Sequence, residues 1–255
     1  MAPPLAALFW DLDGTLAETE FDGHLPAFNQ AFAQHREPYR WDPDTYLRLL
    51  RVSGGRDRLR AWLREQEGAE PAQERLDALV QAKQQHYGAL VRAGSLPLRS
   101  GVKRLITEAA EAGLTQAIVT ASGRAAVEAF AAGALASVAA AFQTWICGED
   151  VTAMKPDPEG YRLALSRLAL DPARVLVLED SAVGLAAADA AGLACVVTLS
   201  RLSRHDPASA FRQARAVVDG LDGGQALAPV SLPSHAPGPT GPITLSWLQE
   251  LMEAP

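Results

Sequence analysis

The sequence predicts a three-layer α/β fold: a mostly parallel sheet with helices on both faces, and one small helical unit inserted into it. Three observations predict it. From about residue 100 to 218, short apolar runs alternate with helix-patterned segments, the signature of strand–helix units and a parallel sheet. Between about Asp22 and Ala93 that alternation is missing, and the chain reads as helices only. Polar residues collect where the apolar runs end: Asp11 and Asp13, then Thr120 and Ser122, then Glu179 and Asp180. Ligands of open parallel sheets bind beyond the carboxyl ends of the strands, so pattern and chemistry point to one edge.

The elements follow in order. Leu5–Trp10 is an unbroken apolar run and reads as a buried strand. Four helices come next. Leu25, Phe28, Ala31 and Phe32 form the first apolar stripe, and Asp42-Pro43 opens a second helix carrying Tyr46, Leu47 and Leu50. Ser53-Gly54-Gly55 breaks it. Leu59, Trp62 and Leu63 mark a third helix stopping near Gly68, and Leu76 to Val91 a longer fourth ending at Gly94. Linkers are expected near Thr15–Thr19 and Ala93–Leu98. Ser100 is the expected N-cap of a helix running to Ala112 and closed by Gly113. Leu114–Thr120 reads as a strand, Ala125–Phe142 as buried helix and Thr144–Cys147 as a weak strand. Asp157-Pro158 starts a helix to Leu168. Val175–Leu178, Ala194–Leu199 and Ala216–Val218 are strands, with a helix over Ser181–Ala191 stopped by Gly192. Gly220–Gly241 is rich in glycine, proline and alanine and reads as a linker. Pro242–Met252 is expected to form a short amphipathic helix through Leu245, Trp247, Leu248 and Leu251, docked on its own chain.

The expected organisation is a core of residues 1–16 and 97–222, a helical insertion of residues 17–96, and a linker with a C-terminal helix over 223–255. The length, 255 residues, accommodates a core domain plus an insertion. The formal charge of −7 argues against a nucleic-acid surface but not against a phosphorylated ligand, because a metal and a few cations reverse the field locally. Cys147 and Cys195 lie in apolar runs and read as buried reduced thiols, with no zinc-binding spacing. No basic leader precedes the first acidic pair, and Ala125–Phe142 is too rich in alanine and glycine to read as a membrane span. A cytoplasmic monomer that binds neither nucleic acid nor membrane is expected.

The period of two puts Asp11 and Asp13 on one side as the chain leaves the sheet. Two acids converging at a buried strand end are costly unless something positive sits between them, and a magnesium ion with a substrate phosphate suits the oxygen-only donor set. Asp11 is the candidate nucleophile that forms an aspartyl-phosphate, and Asp13 the candidate general acid and base.

Asp11-Leu12-Asp13-Gly14-Thr15-Leu16 resembles the first motif of the haloacid dehalogenase-like (HAD) phosphohydrolases. Ala117-Ile118-Val119-Thr120, Met154-Lys155-Pro156-Asp157-Pro158 and Leu176-Val177-Leu178-Glu179-Asp180-Ser181 resemble the second, third and fourth, in family order over Leu5–Leu199. The resemblance implies a Rossmann-like core with a C1-type helical cap, as in the subfamily that includes β-phosphoglucomutase. It implies that Thr120 holds the transferring phosphoryl group, that Lys155 neutralises charge between nucleophile and phosphate, and that the Asp13 carbonyl joins Asp11 on Mg2+. Asp180 is expected as a direct metal ligand with Glu179 in outer support, because adjacent strand residues face opposite ways.

The stretches Thr15–Glu20, Asp22-Gly23-His24, Ala27-Phe28-Asn29 and Ser53–Arg58 resemble CbbY-type members of that family. This implies hydrolysis of xylulose 1,5-bisphosphate, a Rubisco inhibitor in the Calvin cycle, to xylulose 5-phosphate. A bisphosphate needs a second anion site. Arg56, after a glycine pair, is the candidate, with Ser122 and Arg124 helping from the core. Glu20 and His24 are candidates for sugar hydroxyls. A phosphomutase using the same two aspartates, a less specific sugar-phosphate phosphatase and a non-catalytic sugar-phosphate-binding protein remain the alternatives.

Overall fold

The computed structural model describes residues 4–52, 54–222 and 241–253. The chain divides into two compact units, Met1–Glu18 with Pro97–Pro255, and Thr19–Leu96. The expected linker falls outside the described residues from 223 to 240, as does Ser53.

The first unit is built on a six-stranded parallel sheet of order β3-β2-β1-β4-β5-β6. The strands are β1 (Ala7–Trp10), β2 (Thr115–Val119), β3 (Thr144–Ile146), β4 (Val175–Glu179), β5 (Ala194–Thr198) and β6 (Ala216–Val218). β1 runs between β2 and β4 with Trp10 opposite Ile118 and Leu178, so the chain leaving β1 emerges between those two strand ends. Both faces are buried, and this is why the strands read as continuous apolar runs. On one face Phe9, Val119, Val177 and Val197 pack with Tyr161, Ala164 and Leu185. On the other Trp10 donates through its indole to Gln116 (3.0 Å), whose amide donates to the Ile106 carbonyl.

In the second unit a turn of π-helix over Glu20–His24 runs into α1 (Leu25–Gln34), followed by α2 (Pro43–Leu49), α3 (Gly55–Glu67) and α4 (Gln73–Arg92). Trp41 is the hub of its core, with ring centroids 4.6 Å from Phe28, 5.2 Å from Phe32 and 6.0 Å from Trp62. The first unit resumes with α5 (Val102–Glu111), then α6 (Arg124–Ala132), α7 (Glu159–Leu168), α8 (Ala182–Ala190) and α9 (Leu245–Glu253). α9 docks on its own chain: the Leu245 amide donates to Glu108 of α5, the Ile243 amide donates to the Leu221 carbonyl, and the Arg104 guanidinium donates to the Ile243 carbonyl.

Two expectations change. Ala125–Phe142 is not one helix. α6 stops where Gly133 leaves helical geometry, and a single 3-10 turn over Ala139–Ala141 follows. Ser100 does not cap α5. Gly101 takes that place at φ +82°, where a β-carbon would sit 2.7 Å from the Leu221 carbonyl carbon, and the Ser100 hydroxyl donates to Asp222 instead. Among the described residues no helix is long and apolar enough to cross a membrane.

Candidate active site

Four charged side chains converge at the carboxyl edge of the sheet. Asp11 follows β1 directly, and its amide still donates to Leu178 of β4, so its position is set by the sheet itself. Glu179 ends β4 and Asp180 follows it. Lys155 arrives from the segment between β3 and α7. Its ammonium donates to Asp11 Oδ1 (2.7 Å), Glu179 Oε1 (2.6 Å) and the Val119 carbonyl (2.8 Å), which uses all three of its protons. Tyr161 of α7 donates to the same Glu179 oxygen at 2.7 Å.

Two glycines make this crowding possible. A β-carbon at Gly184 of α8 would lie 2.0 Å from the Glu179 carboxylate, and one at Gly14 would lie 2.1 Å from Asp180 Oδ2. Gly14 also has φ +89°, a conformation that L side chains rarely adopt.

The electrostatics are unbalanced toward the negative. Burial, then the Glu179 charge, raises the Asp11 carboxyl to about 7, against the pull of Lys155. Burial, then Asp11, pushes Asp180 well above the ordinary carboxylate value. Burial works against the Lys155 ammonium, but Asp11 and Glu179 outweigh it and hold its pKa above that of a free lysine. Burial and Glu179 likewise raise the Tyr161 phenol, so it remains a donor.

One oxygen from each of Asp11, Glu179 and Asp180 lies within 4.8 Å of the others, and all three residues are buried. Three buried carboxylates facing one ammonium leave an excess of negative charge that a hard divalent cation would neutralise. The donor set, all oxygen, suits Mg2+ or a similar ion.

Beside this cluster, the Asp13 carboxylate accepts a hydrogen bond from the Ser122 hydroxyl, and the Thr120 hydroxyl accepts the Ser122 amide at 3.0 Å. Thr120 itself is anchored by its amide to Ile146 of β3. The side chain of Asp13 is not part of the three-carboxylate group. Arg124 is engaged elsewhere: its guanidinium pairs with Asp150 and its amide donates to Glu149.

The remaining candidates belong to the helical unit and have partners within it. Glu20 accepts from the Tyr46 hydroxyl at 2.5 Å and lies 4.0 Å from Arg58. His24 stacks on Tyr87 with centroids 4.2 Å apart, and its Nδ1 lies 3.0 Å from the Lys83 ammonium. An ammonium can only donate, so His24 accepts through Nδ1. Burial, then the Lys83 and Arg58 charges, depress its pKa well below the usual histidine value and keep it neutral. Arg56 pairs with Asp77 of α4. Tyr161 partners Glu179 in the first unit, and Arg58, Tyr46 and Lys83 partner Glu20 and His24 within the helical unit; none of them has a polar role in the sequence reading. Tyr46 reads in the sequence as an apolar-stripe residue, and nothing in residue identity alone marks Lys83 or Tyr161.

Both cysteines are buried and unbridged, and burial raises the Cys147 thiol to about 11.

Comparison with known proteins gives these groups a family setting. Residues 5–192 match the model of the haloacid dehalogenase-like hydrolases. The plasmid-encoded protein CbbY of Cupriavidus necator is 41% identical over 239 residues, covering 92% of this chain and 91% of its own. CbbY from Rhodobacter sphaeroides, solved in complex with phosphate, superposes with a TM-score of 0.75 at 37% identity, covering 85% of this chain and 94% of that one. A mutant of that protein, solved in complex with xylulose-(1,5)bisphosphate, matches with the same TM-score, identity and coverage. The chain therefore belongs to the haloacid dehalogenase-like hydrolases, as a phosphatase related to CbbY.

Proposed function

We propose that this chain is a magnesium-dependent phosphatase that converts xylulose 1,5-bisphosphate to xylulose 5-phosphate and inorganic phosphate. The observation that carries the substrate is the match to CbbY of Rhodobacter sphaeroides, a protein solved with that bisphosphate, at 37% identity over 94% of its length.

Asp11 attacks phosphorus with a carboxylate oxygen. The phosphorus–oxygen ester bond breaks as Asp13 protonates the departing alkoxide, leaving an aspartyl-phosphate. Asp13 then takes a proton from water, whose oxygen attacks phosphorus and frees both phosphate and the Asp11 carboxylate. The Ser122 bond to Asp13 supports this assignment, because it fixes the carboxylate that must move the proton. Lys155 holds one Asp11 oxygen and offsets charge as the phosphate approaches. The Thr120 hydroxyl steadies the transferring group.

Asp11, Asp180 and the Asp13 carbonyl are the proposed ligands of Mg2+, with Glu179 in support through Lys155 and Tyr161. When bound there, the ion would supply positive charge that offsets the repulsion between the Asp11 carboxylate and a phosphate dianion. Glu20, His24 and Arg56 of the helical unit, with Ser122 and Arg124 of the core, are the proposed readers of the sugar and its second phosphate. With two buried reduced thiols, the chain is proposed to work as a cytoplasmic monomer.

A phosphate-release screen across sugar mono- and bisphosphates tests the reading. Xylulose 1,5-bisphosphate should be hydrolysed far faster than hexose monophosphates. A flat profile would remove the substrate and leave the phosphatase, while an isomerised sugar phosphate without free phosphate would make the enzyme a mutase.

A further inference from the structure

Arg99 belongs to none of the four motifs, yet its side chain is only 12% exposed and touches the chain that carries the first of them. It lies just after the point where the first unit resumes, and its own amide donates to the Leu16 carbonyl at 2.8 Å. Its guanidinium donates to three main-chain carbonyls: Gly14 in the first motif, Thr198 at the end of β5 (3.1 Å) and Leu199 beyond it (2.6 Å). Its Nε lies 3.5 Å from Glu18. Burying this cation is costly unless its donors are engaged, and main-chain oxygens engage them.

The Gly14 peptide is also the surface on which Asp180 rests. The space for a β-carbon at Gly14 is occupied by the Asp180 carboxylate, 2.1 Å from where that carbon would be. A path of direct contacts thus runs from the guanidinium to the Gly14 carbonyl, and from the Gly14 α-carbon to the Asp180 carboxylate. On the other side the guanidinium is pinned to β5, the neighbour of β4, which ends at Glu179 and is followed by Asp180.

We propose that Arg99 is a positioning residue for the cation site: by bracing the Gly14 peptide against the end of β5, it sets the separation of Asp180 from Asp11. A planar fork reaches carbonyls lying in different directions, whereas a lysine ammonium would hold the charge without the brace. The inference rests on the reading that Asp11 and Asp180 hold Mg2+.

The test uses magnesium chloride alone, titrated by calorimetry into the full-length wild type, Arg99→Lys, Arg99→Ala and Asp180→Asn, with circular dichroism melts in chelator as the check on folding. Arg99 lines a cavity of about 430 Å³ with Thr15, Ser100 and Thr198, so the alanine variant leaves room for added guanidinium. Magnesium affinity should fall about 10–100-fold in both Arg99 variants, the range typical of an outer partner of a metal site. Low-millimolar guanidinium should restore it in Arg99→Ala but not in Arg99→Lys. In turnover, the deficit should appear as a raised magnesium requirement, with kcat regained at saturating metal and KM for the phosphate ester little changed. Unchanged magnesium affinity in folded Arg99→Lys, with binding lost in Asp180→Asn, overturns the inference and leaves the cation site standing. Absence of magnesium binding in the wild type, or undiminished binding in Asp180→Asn, overturns the cation site and the inference with it.

Discussion

Replacing Lys155 by methionine removes the only ammonium in the cluster and leaves Asp11 and Glu179 facing each other in a buried site. Lys155 lies 2.7 Å from Asp11 and 2.6 Å from Glu179, so two charge-assisted contacts are lost together. Removing one partner of a buried ion pair costs about 3–5 kcal/mol. For a chain of this size, each kcal/mol moves the melting temperature by about 2–4 °C, so a fall of about 6–20 °C is expected. The fall should depend on pH. Asp11 already sits at about 7 in the folded protein against 3.8 in free aspartate, and Lys155 is among the groups holding it down. Without Lys155 it rises further. A carboxyl with a raised folded pKa holds its proton in the folded state, so the stability tied to that proton is present in acid and lost as pH rises from the unfolded value through the folded one. The gap between wild type and Lys155→Met should therefore be smaller near about pH 5 and widen as pH rises through about 7, where the wild-type carboxyl ionises and that of the variant does not. Scanning calorimetry in chelator measures both. An unchanged melting temperature, or a gap independent of pH, would refute the idea that Lys155 offsets a surplus of buried negative charge.

Two further outcomes are expected. Asp11→Asn should lower turnover by on the order of 10⁴-fold or more while keeping the fold, since the proposed nucleophile is lost. Its metal-free melting temperature at about pH 8 should not fall, because a carboxylate destabilised by burial becomes neutral; measurable turnover in pure protein would refute the assignment. Chelation should abolish phosphate release and magnesium should restore it. Because protons on the buried Asp11 and Asp180 compete with the ion, the apparent magnesium affinity should weaken by at least about tenfold per pH unit below about 7. An affinity that ignores pH in that window would contradict the raised Asp11 value.

The sheet was readable because its strands are buried on both faces. Val175–Leu178 and Ala194–Leu199 are continuous apolar runs, and glycines at 113 and 192 mark where the preceding helices stop. Ala125–Phe142 was misread for the opposite reason: alanine favours helix without supplying a periodic stripe, so only Gly133 carried the boundary. Asp11, Glu179 and Asp180 could be proposed as one group because each lies at the end of an apolar run, whereas Lys155 was legible only through the resemblance of Met154–Pro158 to the third family motif. Tyr161 could not be picked out. A tyrosine at helical spacing reads as core, and its packing does face the core while only its hydroxyl reaches Glu179. Arg99 was hidden for a different reason. What makes it special is a set of carbonyls from Gly14, Thr198 and Leu199, and main-chain acceptors leave no mark on residue identity.

The main chain departs from the first unit at Glu18 and rejoins it at Pro97, and Leu16 and Arg99, flanking those two points, share a hydrogen bond. To the sheet, everything between is a loop whose ends are already tied. The entropy of closing such a loop grows only with the logarithm of its length, so a long insert costs the sheet little more than a short turn. Descent can therefore enlarge, exchange or lose the helical unit without shifting the register of a single strand. The residues proposed to break the ester and those of the helical unit proposed to read the sugar can accumulate change at separate rates.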